Sequence, residues 1–298
     1  VAQERELTGA LPPYVAVPTP PAWYGESAGF LGERFEPFSV GRNPDGKEGY
    51  GVLAPPIGFG SSIESSRHAL EQFARQLEDE DSFEAVDTFC KQAYGEILGK
   101  GRKAFDMTEE TNEVRDRYGR TTFGQSCLLA RRLVERGVRF VQIFAACPNT
   151  PGGAVSDVPW DGHNDINGNH RACAATVDQP TGALLTDLKQ RGLLDETIVI
   201  FGGEFGRTSD SQGSNGRDHN PNAFTTWFAG GGFKGGAQYG ATDEFGYKSV
   251  EKRVNAHDIH ATLLHQLGLD HTKLTYRFNG RDFRLTDVEG EVLRDILA

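Results

Sequence analysis

Apolar positions change their period along the chain, and each change marks an element. Over residues 61 to about 103 they fall at helical spacing, first Leu70, Phe73 and Leu77, then Phe83, Val86, Phe89, Ala93 and Ile97. That pattern predicts two amphipathic helices packed on a core. The stretch FGQSCLLARRLVERG predicts a further helix ending at Gly137, and VRFVQIFAA, directly after it, reads as a buried strand. A helix over residues 174–191 then leads to ETIVIF, where β-branched residues dominate and polar residues and glycines bound the run, as in a buried parallel strand. Strand, long loop, helix and strand form the pattern of a right-handed crossover. Residues 138–144 and 197–201 are therefore expected to be neighbours in one parallel sheet, with their carboxyl ends on a shared rim. Further on, HDIHATLLHQLGLD carries Ile259, Leu263, Leu264 and Leu267 on one face and predicts a helix ending near Gly268, with Asp258 at its start as a natural cap. The tail GRDFRLTDVEGEVLRDIL predicts a short strand, a turn and a closing helix. The first sixty residues are rich in Pro and Gly and show no sustained period, so they predict irregular, surface-wrapping structure. The reading is thus an α/β chain in three parts: an irregular segment over 1–60, a helical part over 61–135 and an α/β core over 136–298.

Composition narrows the class. The chain has 298 residues, 37% hydrophobic and 10% aromatic, enough to bury a sizeable core. Its 31 Lys and Arg stand against 42 Asp and Glu, a net charge of −11 without a basic cluster, which argues against nucleic acid or an anionic membrane surface as partner. No run of eighteen apolar residues occurs, so no transmembrane helix is expected. Cys90, Cys127, Cys147 and Cys173 lie far apart without a CxxC pair, which leaves room for one or two disulfides but not for a zinc ribbon or redox motif. Met107 is the only methionine, so Val1 is not a translation start and a processed form or fragment is expected.

An acidic chain that handles an anion needs local positive charge, and the expected rim offers donors for a metal. Asp161 and His163 lie in WDGH after the first strand, Glu204 lies just past the second, and Asp218 with His219 follows in GRDH. A single Asp or His in a glycine-rich loop is usually a turn residue or a helix cap. Three such loops, the third holding His257, Asp258 and His260, make a metal site on this rim the stronger reading. A mixed Asp, His, Glu and His set suits Zn²⁺, Mn²⁺ or iron better than Ca²⁺. Arg207, three residues beyond Glu204, is placed to pair with an anionic oxygen. For His257 and Asp258, capping and packing outweigh ligation, because both sit at a helix start.

The motifs WDGH, GGEFGRT, GRDHNP, AGGGFKGG, YGATDEFGY, HDIHATLLHQLGLD and GRDFRLTDVEGEVLRDIL occur in this order, with YGRTTFGQSCLLARRLVERGVRFV upstream. Together they resemble the DUF1501 family, strongly over about residues 100–298 and more loosely over 1–60. That family in turn resembles the alkaline phosphatase and sulfatase superfamily. The resemblance implies a single alkaline phosphatase-like domain over 1–298, with a mostly parallel sheet flanked by helices and an incomplete N-terminus. It implies one metal held by Asp161, His163 and His219, and Glu204 in the place of a ligand to a second. Phe205 stands where the superfamily usually has a His. One or two divalent ions, Zn or Mn, are thus the expected cofactors, and Arg207 and Asp218 are the expected substrate-binding residues.

Members of the family usually carry a glycine-rich, acidic segment with the nucleophile ahead of the matching part. Its absence here implies that it was cleaved, that a separate chain supplies it, or that the protein works without it. The function that follows is metal-dependent hydrolysis of a small phosphate or sulfate ester, slow in the absence of an attacking group. The alternative is a non-catalytic binding or structural protein that keeps the fold and a metal. Export signals common among family members point to a periplasmic or secreted location.

Overall fold

The computed structural model describes residues 11–17, 37–40, 102–145, 160–211, 213 and 215–298. The two helices expected over residues 61–103 lie outside these, except for residues 102 and 103. The described chain is mixed α/β and groups into two units, the first containing residues 1–148 and 173–187, the second 149–172 and 188–298. No helix among the described residues is long and apolar enough to cross a membrane.

In the first unit, β1 (Tyr14–Val17) is the centre of a parallel three-stranded sheet, flanked by β2 (Phe38–Ser39) and β3 (Phe140–Ile143). Val15, Ala16 and Val17 are fully buried. The Pro/Gly-rich head, which predicts irregular structure, thus supplies two of the three strands. Three consecutive β-branched or small apolar residues suffice for a strand when both edges are paired. After the short α1 (Arg102–Phe105) and α2 (Asn112–Tyr118) comes α3 (Thr122–Glu135), which feeds β3 and packs against it.

The ends of α3 follow from its sequence. Thr121 Oγ1 accepts the Gly124 N–H at its start. At its close Gly137 adopts φ 92°, with the Gly137 N–H on Val134 and the Val138 N–H on Leu133, the pattern a left-handed terminal glycine allows. Phe123, Cys127, Leu128, Leu129 and Leu133 bury the inner face. Cys127 is a free buried thiol, pushed up by burial, whereas Cys173 is disulfide-bonded.

Arg131 and Arg132, also on α3, are buried and paired with carboxylates. Arg131 pairs with Glu110 at 2.8 Å, Glu135 at 3.0 Å and Asp187 at 3.0 Å, the last an ion pair too bent for a hydrogen bond. Arg132 bonds Glu110, Glu109 and the carbonyls of Lys103 and Ala104. Burial pushes Glu110 up, but the hydrogen bonds and charges of Arg131 and Arg132 outweigh it and hold the carboxyl below the usual range. A depressed folded-state value contributes stability that is present above the ordinary Glu value of about 4.3 and is lost as pH falls through the folded value. Urea unfolding from pH 7 downward should therefore show the stability gap between wild type and Glu110→Gln narrowing below about pH 4. A gap independent of pH would refute this.

The long helix α4 (Ile166–Gln190) begins eight residues earlier than its apolar period predicts. Asp165 makes this start: its Oδ1 accepts the Gly168 N–H. In the second unit, β4 (Val199–Phe201) pairs antiparallel with β7 (Trp227–Ala229), and is only half-buried. The expectation that residues 138–144 and 197–201 share a parallel sheet is thus corrected: β3 pairs with β1, and β4 with β7, in separate sheets. A β-branched run specifies extended backbone, and its choice of partner is made by the distant strand WFA, with Phe201 stacked on Trp227 at 5.7 Å.

The remaining elements are short. Hairpin β5 (Gly206–Arg207) with β6 (His219–Asn220) is antiparallel, as is β8 (Ala241–Thr242) with β9 (Ser249–Glu251). Helix α5 (Ala256–Gln266) opens with a capping box in which Asn255 is the cap and Asp258 answers from the third position. The C-terminal hairpin of β10 (Thr275–Phe278) and β11 (Arg281–Arg284) turns on Asn279-Gly280, both at positive φ. The expected closing helix is a single tight turn, Arg294–Ile296.

Candidate metal centre

The site belongs to the second unit and is made by two loops held side by side. Asn215 bridges to Asp165, its carbonyl accepting the Ile166 N–H at 3.2 Å, and the Arg217 N–H donates to the Gly162 carbonyl at 3.0 Å. Only glycine fits between these bonds: a Cβ on Gly216 would stand 1.7 Å from the His163 carbonyl oxygen. The clamp carries His163 on one loop and His219, at the start of β6, on the other. Trp160 enters the first loop at φ 66°, a conformation that costs a non-glycine residue on the order of 1–3 kcal/mol. Its carbonyl accepts Arg207 Nη2 at 2.9 Å, and its ring packs on His170 and Phe201. Burial against this ring pushes the His170 imidazole down.

Three ligand atoms converge here. His163 Nε2 lies 2.8 Å and His219 Nε2 3.1 Å from Asp161 Oδ1, and the two Nε2 atoms are 3.1 Å apart. With bonds of about 2.0–2.1 Å, as for zinc on nitrogen or oxygen, the edge of a coordination tetrahedron is roughly 3.3–3.4 Å. The observed triangle is a face of that tetrahedron drawn in by a few tenths of an ångström, so the donor set fits one divalent ion, and among the described residues no fourth His, Cys, Asp or Glu joins it. The ring of Phe205 stacks on His219 at 4.1 Å and 29°, which fixes the rotation of the imidazole. The Asp218 carboxylate accepts the His219 N–H at 2.8 Å and braces the backbone beneath it.

Arg207, paired with His219 across β5 and β6, donates from Nη2 to Asp161 Oδ1 at 2.7 Å and from Nη1 to the Arg217 carbonyl at 3.3 Å. Partial burial pushes Asp161 up, but the hydrogen bonds from Arg207 and His219 and the nearby charges of His163 and Arg207 hold it below the usual carboxylate range. Asp161 is therefore a carboxylate at neutral pH, the form a metal requires.

Of the residues read from sequence, Asp161, His163 and His219 form this cluster and Arg207 reaches its oxygen. Glu204 is exposed and lies outside the cluster. Asp218 serves backbone, and His257 faces Glu289 at 3.3 Å on the helix α5 start. Sequence reasoning missed His170 and Gly216, and it marked Phe205 only as standing in place of a His, not as the ring that holds His219. For Gly216 the signal was present, since NGRDH sets a glycine three residues before a candidate ligand.

A mixed α/β chain in which two imidazoles and a carboxylate converge on one point defines a candidate metal-binding protein. A protein-family model described as DUF1501, protein of unknown function, matches residues 2–297, and the chain belongs to that family. Comparison with curated proteins and with solved structures gives no match.

Proposed function

We propose that this chain is a metal-dependent hydrolase of phosphate or sulfate esters, organised like the alkaline phosphatases and sulfatases, with Asp161, His163 and His219 as the ligands of one Zn²⁺ or Mn²⁺. The observation that carries the reading is a face of three donors, beside a guanidinium, that no fourth donor among the described residues completes. Structural zinc sites close all four positions with protein donors, whereas sites that act on substrate keep one free. A divalent ion bound there supplies Lewis acidity and stabilises charge on the transferred group. The chain's own residues do the rest: Phe205 and Asp218 hold His219 in position, and Arg207 presents N–H donors to an anionic oxygen. A disulfide at Cys173 favours an oxidising compartment and so supports a periplasmic or secreted location.

The second reading, a non-catalytic binding or structural protein, is favoured by one feature. Asp161 Oδ1 already has three nitrogen neighbours at hydrogen-bond distance, which satisfies it without an ion. Elemental analysis of protein purified without chelator separates the readings from plain packing. Wild type is expected to hold about one ion per chain, and His219→Ala to lose far more than the roughly 10–100-fold in affinity typical of residues that only support a ligand. Equal metal content in the two proteins would remove the metal centre. A screen of phosphate and sulfate monoesters then decides between turnover and binding.

A further inference from the structure

We infer that Arg207 makes metal and oxyanion binding mutually dependent, so that a divalent ion and a tetrahedral oxyanion enter this site as a linked pair. The inference rests on the metal centre proposed above and adds a thermodynamic rule to it.

The three nitrogen atoms around Asp161 Oδ1 are not equivalent. Arg207 Nη2 is the nearest, at 2.7 Å, against 2.8 Å for His163 and 3.1 Å for His219. The oxygen that closes the triangle with the two imidazoles is already shared with a full positive charge. An imidazole can yield its proton to make room for a metal, but a guanidinium keeps its charge at any ordinary pH. Nor is Arg207 placed to swing away. Its Nη2 also donates to the Trp160 carbonyl and its Nη1 to the Arg217 carbonyl, its side chain is only 16% exposed, and its backbone pairs with His219. An ion taken up by Asp161, His163 and His219 therefore adds its charge beside one that neither moves nor titrates.

Such crowding of like charge is relieved by an anion that accepts at Nε or the second Nη1 hydrogen, which the three bonds of Arg207 leave unused, and lies beside the ion. The anion lacks its second positive partner when the ion is absent, and the ion meets repulsion that Asp161 offsets only in part when the anion is absent. Each must raise the other's affinity by one common factor. Arg217 does not share this role, since its guanidinium turns to the Gly216 carbonyl at 2.9 Å.

The test is calorimetric titration of metal-free protein with Zn²⁺, with and without inorganic sulfate, chloride being used to match ionic strength. In wild type, sulfate should tighten Zn²⁺ binding by roughly 5–150-fold, the range usual for coupled sites, and Zn²⁺ should tighten sulfate binding equally. In Arg207→Gln the Zn²⁺ affinity, whatever its level, should be the same with and without sulfate. Arg207→Lys should keep a weaker effect, and Arg217→Gln should match wild type. Wild-type Zn²⁺ binding indifferent to sulfate, or a sulfate effect surviving in Arg207→Gln, overturns the inference while leaving the metal centre in place. No Zn²⁺ binding by wild type under either condition overturns both.

Discussion

Gly216→Ala is expected to break the candidate metal centre without touching a ligand. The new Cβ would meet the His163 carbonyl oxygen at 1.7 Å and the Asn164 nitrogen at 2.7 Å, where real contacts stay above 3.0 Å. Both obstacles are backbone, so no side chain can rotate out of the way, and the two loops must part. His163 rides on one and His219 on the other, so the 3.1 Å separation of their Nε2 atoms opens with the clamp. Binding constellations tolerate displacements of only about 0.5 Å, and a loss of at least about 100-fold in metal affinity is expected. Stability should fall by about 1–3 kcal/mol, as for other overpacked sites. Gly203→Ala is the control, because its nearest neighbour would stand at an ordinary 3.5 Å. Metal titration and urea unfolding of both variants read the result, and unchanged affinity in Gly216→Ala would show that the loops have slack the structure does not display.

Asp187→Ala should cost the first unit about 3 kcal/mol, at the lower end of what removing one partner of a buried ion pair costs. Asp187 accepts the Tyr118 hydroxyl at 2.9 Å and faces Arg131 Nε at 3.0 Å, with both side chains buried. Removing it strands a phenol donor and uncovers one edge of a guanidinium. Glu110 and Glu135 still hold the other edge, which is why the loss stays at the lower end. Asp187→Asn should lose less, since its amide oxygen can still accept from Tyr118. Urea unfolding at neutral pH measures both, and a loss under about 1 kcal/mol for the alanine variant would show that the network relaxes.

What could be read beforehand was local. The helix ending at Gly137 and the strand after it were legible, because a 3.6-residue period and a terminal glycine are properties of a single segment. Strand partners were not. ETIVIF announces extended backbone, but whether it lies beside residues 138–144 or beside Trp227–Ala229 depends on side chains far away in sequence, and the stacking of Phe201 on Trp227 decided it. Tyr14–Val17 was hidden by the prolines around it. Asn279-Gly280, between Phe278 and Arg281, is a strong local hairpin signal and joins β10 to β11. In the site, ligand type was legible and support was not: a carboxylate and two imidazoles stand out in WDGH and GRDH, whereas Phe205 acquires its role only by lying flat on His219.

His163 and His219 are 56 residues apart, yet a single ion would join them. In polymer terms that ion is a removable cross-link. It closes a loop of the unfolded chain whose closure, treated as for a covalent bridge of that span, is worth about 4 kcal/mol of configurational entropy. Chelation should then loosen more than the ligands. Amide hydrogens along both clamped loops, near Gly162 to Ile166 and Asn215 to His219, would exchange faster as a group, while those of α3 kept their rates.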